Sequence, residues 1–343
     1  MKIPETLRWK VGKTLGEGGQ GVVQSVTDEK GEFPGVFALK QLKGGLKTSA
    51  YDRFAREVSA IKSIDHSGIV KIIDHSTAGE KFQFYVMEYF EGAKSLGHLI
   101  GKPVNPFHAN ASKSLDLLIQ LIDVIHACES AKIIHRDLSP ANVLVLTDGR
   151  IKVIDFGLCQ IEDGETITLT DEGVGTQNYM APECESGANQ VATWKADLYS
   201  VGKIVWSAIA NSVAFSRENP AFSTKSMELI FPDKPETWHI QHVFAKMIRH
   251  KVEDRFQTTD EALKTAWRVV SLVSGGFPPL KRIAETCPIC GWGKCNNFEG
   301  SHSVFGNPNP AGIFAIRCDY CGYCAVVDSK VRNGNLAVSK NFT

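Results

Sequence analysis

Over the first ninety or so residues, apolar positions come in short β-branched and aromatic runs separated by turn-forming residues. Runs at 9–18, 21–28, 36–42, 69–76 and 82–90 read as strands. One stretch, 51–64, breaks the pattern: Phe54, Val58 and Ile61 recur at helical spacing. From about residue 112 the helical period takes over. Within 114–126, Leu115, Leu118, Ile119, Ile122 and Ile125 fall on one face of a predicted helix. A small strand-rich lobe followed by a larger helical one predicts an α+β fold rather than a wound parallel sheet.

Composition changes this picture little. Of 343 residues, 43% are hydrophobic and 22% charged, and 38 Lys and Arg balance 38 Asp and Glu. Such a chain is neither a strongly basic nucleic-acid binder nor a disordered polyanion as a whole. No apolar stretch reaches the ~18–20 residues of a membrane span. The first residues lack the apolar core of a signal peptide, so the expectation is a cytoplasmic protein without membrane partners. The Gly- and Pro-rich stretch 274–282 reads as a boundary. Six of the nine cysteines lie beyond it.

Three groups of residues suggest phosphate chemistry. Residues 16–23 carry Gly16, Gly18, Gly19 and Gly21 between two strand-like runs, the setting of a glycine-rich hairpin over phosphates rather than of a dinucleotide fingerprint. Lys40 closes an apolar strand, and Glu57 sits in the helix 17 residues later, where it could pair with the lysine. Then Ile133-Ile-His135-Arg136-Asp137-Leu-Ser139-Pro-Ala-Asn142 is followed by Asp155-Phe156-Gly157. Carboxylate and amide oxygens at these offsets suit a hard cation such as Mg²⁺.

Taken in order, these motifs resemble the eukaryotic-type (Hanks-type) Ser/Thr protein kinases: G-x-G-x-x-G-x-V, A-x-K, H-R-D-L-x-x-x-N, D-F-G and, at 181–183, A-P-E. The resemblance implies a bilobal kinase domain over 9–273, with a β-rich N-lobe to about 90 and a helical C-lobe from about 91. It also implies the site. Gly16, Glu17, Gly18, Gly19 and Gly21 would cover the ATP phosphates. Lys40 would grip them, paired with Glu57. Asp137 would accept the proton of the substrate hydroxyl, and Asn142 and Asp155 would hold Mg²⁺. Val23, Ala38 and Leu144 would sandwich the adenine. Met87 would be the gatekeeper, with the backbone from Glu88 to Phe90 receiving the adenine edge. Asp197 matches the anchor of the central helix of the large lobe.

One position departs from the pattern. Ser/Thr kinases usually carry Lys two residues after the catalytic Asp; here it is Ser139. A missing electrostatic donor can cost ~2.7–4 kcal/mol of transition-state stabilisation. A nucleotide-binding pseudokinase scaffold is therefore the alternative to an active Mg·ATP-dependent enzyme acting on protein substrates. Thr176, where this family places a threonine near the catalytic Asp, favours Ser/Thr acceptors. Thr166, Thr168 and Thr170 are candidates for autophosphorylation in the activation segment.

After a linker at 274–284, residues 285–343 contain two copies of C-x-x-C-G, Cys287/Cys290 and Cys318/Cys321. The spacing resembles a zinc ribbon with a structural Zn²⁺ closed by four thiolates. Cys295 and Cys324 remain over. From 281 on, seven Lys or Arg face four Asp or Glu, with aromatics interleaved. A protein-docking surface and nucleic-acid binding are both open for this module.

Overall fold

The computed structural model describes residues 8–17, 21–42, 48–77, 83–156, 160–161, 177–184, 192–216, 225–274, 295–297, 313–318 and 324–328. The chain divides into two compact units, Met1–Pro103 with Gln120–Ile204, and Val104–Ile119 with Val205–Thr343.

The first unit is built on five antiparallel strands: β1 (Trp9–Glu17), β2 (Gly21–Asp28), β3 (Val36–Leu42), β4 (Ile72–His75) and β5 (Phe84–Glu88), with helix α1 (Thr48–Ser63) between β3 and β4. Their order in the sheet is β1-β2-β3-β5-β4. All five expected strands are present. That at 69–76 is shorter than expected because Ile69 leaves the sheet to form a parallel bridge with Val153. The sheet has two different faces, as the period-2 geometry of a strand requires. One carries an apolar cluster of Trp9, Val26, Leu39, Phe84 and Val86, with Phe37 and Ile73 packed against it. On the other, the register sets Val23 and Tyr85 on either side of Lys40, and Ser25 and Met87 on either side of Ala38.

Helix α1 buries Phe54, Val58, Ala60 and Ile61, and Ile64 just beyond its end is buried too. Each large apolar side chain taken out of water contributes ~1.5–3 kcal/mol. Then follow β6 (Lys94–Ser95), α2 (Leu96–Leu99), α3 (Ala111–Ser130), β7 (Ile133–Ile134), β8 (Val143–Val145), β9 (Ile151–Val153), β10 (Gln160–Ile161) and α4 (Trp194–Ala210). Strands β6, β8 and β9 form one small sheet, and β7 pairs with β10. Helix α3 buries more of its circumference than the predicted stripe: Leu117, Leu121 and Val124 join Leu115, Leu118, Ile122 and Ile125, while Ile119 is only half-buried. A helix apolar over so wide an arc is an interior helix.

The second unit continues with α5 (Met227–Ile230), α6 (Pro235–Trp238), α7 (Gln241–Met247) and α8 (Thr259–Val273). Near the C-terminus, β11 (Cys295–Asn297), β12 (Ile313–Cys318) and β13 (Cys324–Asp328) form an antiparallel sheet in that order, with Cys295 opposite Cys318 in the register. Cys287, Cys290 and Cys321 of the expected zinc site lie outside the described residues. Among the described residues, no group of three or more His, Cys, Asp or Glu is placed to hold a metal ion. No described helix is long and apolar enough to cross a membrane.

Candidate active site

The first unit brings the phosphate-type motifs together. Lys40 lies mid-strand in β3 with its side chain almost wholly buried. Its Nζ stands 2.9 Å from Glu57 Oε1 and 2.9 Å from Asp155 Oδ1. Burial alone would lower the lysine's affinity for its proton, but the two carboxylates outweigh it and the net shift is upward. Burial raises the Glu57 carboxyl, and the Lys40 ammonium works against that rise.

Glu57 occupies this place for a local reason. On α1 it follows Phe54 by three residues and precedes Ile61 by four, so it belongs to the buried face of the helix. A carboxylate inside an apolar stripe must find a partner, and that is a sequence signal for the Lys40 pairing stronger than its mid-helix position.

The segment between β7 and β8 is held by its own backbone and by α4. Asp197 Oδ2 accepts the His135 N–H at 2.7 Å, and Asp197 Oδ1 accepts the Arg136 N–H at 2.8 Å. Burial pushes the Asp197 carboxyl up to about 7, against the pull of these two donors. His135 is fully enclosed, its ring 4.5 Å from that of Phe156, and burial brings its pKa down to about 4. It is therefore neutral at pH 7. Asn142 Nδ2 donates to the Asp137 carbonyl at 2.8 Å, and the Asn142 carbonyl accepts the Ile154 N–H at 2.9 Å. These bonds tie Asp137, Asn142 and the segment that runs from β9 to Asp155 into one piece. Arg136 and Asp155 both have left-handed backbone angles, φ 65° and 64°. Such positions cost ~1–3 kcal/mol each and are retained where surrounding contacts over-determine them.

The arrangement fits a metal-bound triphosphate. With its Nδ2 engaged by Asp137, Asn142 is left with its amide oxygen as the ligand atom, and the Asp155 side chain is 26% exposed beside Lys40. Near the end of β1, a Cβ built on Gly16 would meet nothing within 4 Å among the described residues. Gly21 is different: a Cβ there would collide with the Gln41 carbonyl oxygen. Glu17 ends β1, while Gly18 and Gly19 lie outside the described residues.

Val23, Ala38 and Met87 share the sheet face of Lys40. Leu144 belongs to the separate β6-β8-β9 sheet. Its cross-strand neighbour Lys152 links that sheet to the end of β5: Lys152 Nζ reaches Glu88 Oε2 at 2.8 Å and the Ile69 carbonyl at 3.2 Å, and stands 5.0 Å from the Phe90 ring. The motif reading missed this contact. It also missed Tyr85, whose hydroxyl donates to Glu57 Oε1 at 2.7 Å. Gly157, Thr166, Thr168, Thr170 and Thr176 lie outside the described residues.

A five-stranded sheet with one helix, a lysine shared between two acids, and an Asp–Asn loop beside them define a protein-kinase-like phosphate site. Residues 9–268 match the family model described as the protein kinase domain, and the chain belongs to that family. It is 29% identical over 228 residues to the serine/threonine-protein kinase PrkC of Bacillus subtilis, covering 63% of this chain and 34% of that protein. It is 28% identical over 286 residues to the serine/threonine-protein kinase PknB of Mycobacterium leprae, covering 79% and 44%. The chain thus spans less than half the length of these curated relatives. The kinase domain of Mycobacterium tuberculosis PknI has the same fold, with a TM-score of 0.58 at 22% identity over 76% of this chain and 96% of that one.

Proposed function

We propose that the chain is a serine/threonine protein kinase that transfers the γ-phosphoryl group of Mg·ATP to protein hydroxyls. The observation that carries this reading is the placement of Lys40 2.9 Å from both Glu57 and Asp155, in the unit that also holds the linked Asp137 and Asn142. Family membership and the names of its relatives support the Ser/Thr class.

Phosphoryl transfer asks a protein mainly for positioning and charge stabilisation. Lys40 would hold the α- and β-phosphate oxygens, and Glu57 would keep its ammonium directed there. Asn142 and Asp155 would hold Mg²⁺, which when bound neutralises charge on the phosphate oxygens. Asp137 would orient the acceptor hydroxyl and take its proton. Val23, Ala38 and Leu144 would enclose the adenine, and the backbone from Glu88 to Phe90 would receive its edge. Autophosphorylation would fall on Thr166, Thr168 or Thr170 and dock on Arg136. The cysteine-rich module would hold one structural Zn²⁺ through Cys287, Cys290, Cys318 and Cys321 and serve as a docking surface for protein. The antiparallel pairing that ends β12 at Cys318 is in keeping with a ribbon. Metal analysis of the purified chain should find about one zinc per molecule.

The test of the main reading is transfer of label from ATP, with Mg²⁺, to the chain itself or to a generic Ser/Thr acceptor. Transfer by the wild type and its loss in both Asp137→Ala and Asp155→Ala is the expected result. Nucleotide binding without transfer would favour the pseudokinase scaffold that Ser139 suggests.

A further inference from the structure

Tyr85 has no role in the motifs that define the site, yet it is built into the site's centre. It lies in β5 two residues before Met87, on the sheet face that carries Lys40, and Lys40 is its direct cross-strand partner. It is among the largest fully buried side chains. Its ring stacks on Phe54 of α1 with centroids 6.1 Å apart, and Lys40 Nζ stands 5.6 Å from the ring centroid. Its hydroxyl donates to Glu57 Oε1 at 2.7 Å, the oxygen that also accepts from Lys40 Nζ at 2.9 Å.

This geometry has a consequence for the lysine. Lys40 is shared with Asp155, so its hold on Glu57 is divided. The Glu57 carboxylate sits on a helix that must stay docked on the sheet for the pair to exist. Tyr85 supplies a second donor to that carboxylate, from a central strand that needs neither Lys40 nor nucleotide. A hydrogen bond to a charged group in a dry site is among the stronger ones.

We propose that Tyr85 is a positioning residue for the nucleotide phosphates: its hydroxyl fixes the Glu57 carboxylate against β5, and Glu57 thereby holds the Lys40 ammonium where the triphosphate is received. The inference rests on the kinase reading of the site and deepens it. A buried tyrosine needs a partner for its hydroxyl in any case. A purely structural tyrosine would therefore affect folding or the whole nucleotide pocket. A positioning tyrosine affects the phosphates alone.

The experiment uses the full chain and its Tyr85→Phe variant, which keeps the ring and removes one oxygen. Calorimetry with the Mg²⁺ complex of adenylyl imidodiphosphate, and competition with adenosine, separates phosphate from adenine recognition. The expected result is a loss of about three- to tenfold in affinity for the triphosphate analogue, with adenosine affinity and melting temperature little changed. In a Glu57→Gln background, Tyr85→Phe should add no further loss. In turnover, KM for ATP should rise and KM for the acceptor peptide stay put. Unchanged analogue binding would overturn the proposal. So would an equal loss for adenosine, or a loss that persists undiminished beside Glu57→Gln. Normal nucleotide binding by a wild type that transfers no phosphate would end the kinase reading and leave this inference standing. Absence of nucleotide binding by the wild type would end both.

Discussion

Lys152 Nζ and Glu88 Oε2, 64 residues apart in sequence, meet at 2.8 Å. The lysine side chain is nearly enclosed, and Glu88 also accepts the Lys71 N–H at 2.9 Å. One ion pair therefore joins the end of β5 to β9. Lys152→Met should leave a half-buried carboxylate with only its main-chain donor. Breaking a fully buried pair costs ~3–5 kcal/mol, and partial exposure of Glu88 discounts this to about 1–2 kcal/mol. Denaturant unfolding should report that loss. Because the backbone after Glu88 is the proposed adenine contact, KM for ATP should rise as well. Stability equal to wild type would show the pair to be incidental.

Gly16 and Gly21 should separate ligand binding from folding. Gly21→Ala pushes a methyl into the Gln41 carbonyl, so β2 must shift against β3 and the melting temperature should drop by several degrees. Gly16→Ala meets no atom of the described residues, so its melting temperature should match wild type while nucleotide affinity falls. The two variants checked side by side by thermal melts and nucleotide titration decide the matter.

Ser139 offers a gain-of-function test. It is buried at the start of the 3-10 turn Pro140–Asn142, with its carbonyl accepting the Asn142 N–H at 3.0 Å. If the lost cation limits the rate, Ser139→Lys should raise kcat by roughly a hundredfold or more, the range seen for single electrostatic donors. A rate at or below wild type would mean that another group stabilises the transferring phosphoryl.

His135 should leave a mark on acid stability. Enclosed against Phe156, it binds its proton at about pH 4 rather than near its ordinary 6.5. Between those values the unfolded chain takes up a proton that the native state refuses, so stability declines as pH falls through this window. His135→Phe keeps an aromatic ring beside Phe156 and removes the titration. Its stability should be lower overall but flatter between pH 6.5 and 4.5, as followed by denaturant midpoints. An identical pH slope in the two proteins would count against the neutral, buried imidazole.

How legible was this site in the chain? Asp137, Asn142 and Asp155 are encoded within 19 residues of one another, and the loop between them is local. Their geometry follows from short-range backbone bonds such as Ile154 N–H to the Asn142 carbonyl. Lys40 and Glu57 were legible as a pair because strand and helix are consecutive. Tyr85 and Lys152 were not. Each acts between elements far apart in sequence, Tyr85 from β5 to Glu57 of α1 and Lys152 from β9 to Glu88 at the end of β5, so neither contact exists until the tertiary fold has formed. The strand periodicity located β5 without saying which helix its inward face would meet. In α3 the stripe at 115, 118, 122 and 125 was read correctly, but the full burial arc depends on neighbours that the period alone does not reveal.

Asp197 carries a lesson about order in time. The carboxylate that fixes the main chain of His135 and Arg136 is supplied some sixty residues further on, at the start of α4. In a chain emerging from the ribosome, the residues of the five-stranded sheet, Lys40 among them, are all made well before that acid. Domains form from the N-terminus as synthesis proceeds. The main chain of His135 and Arg136 therefore acquires its two carboxylate acceptors only once the start of α4 has been made, so the conformation of this loop is among the last features of the unit to be fixed.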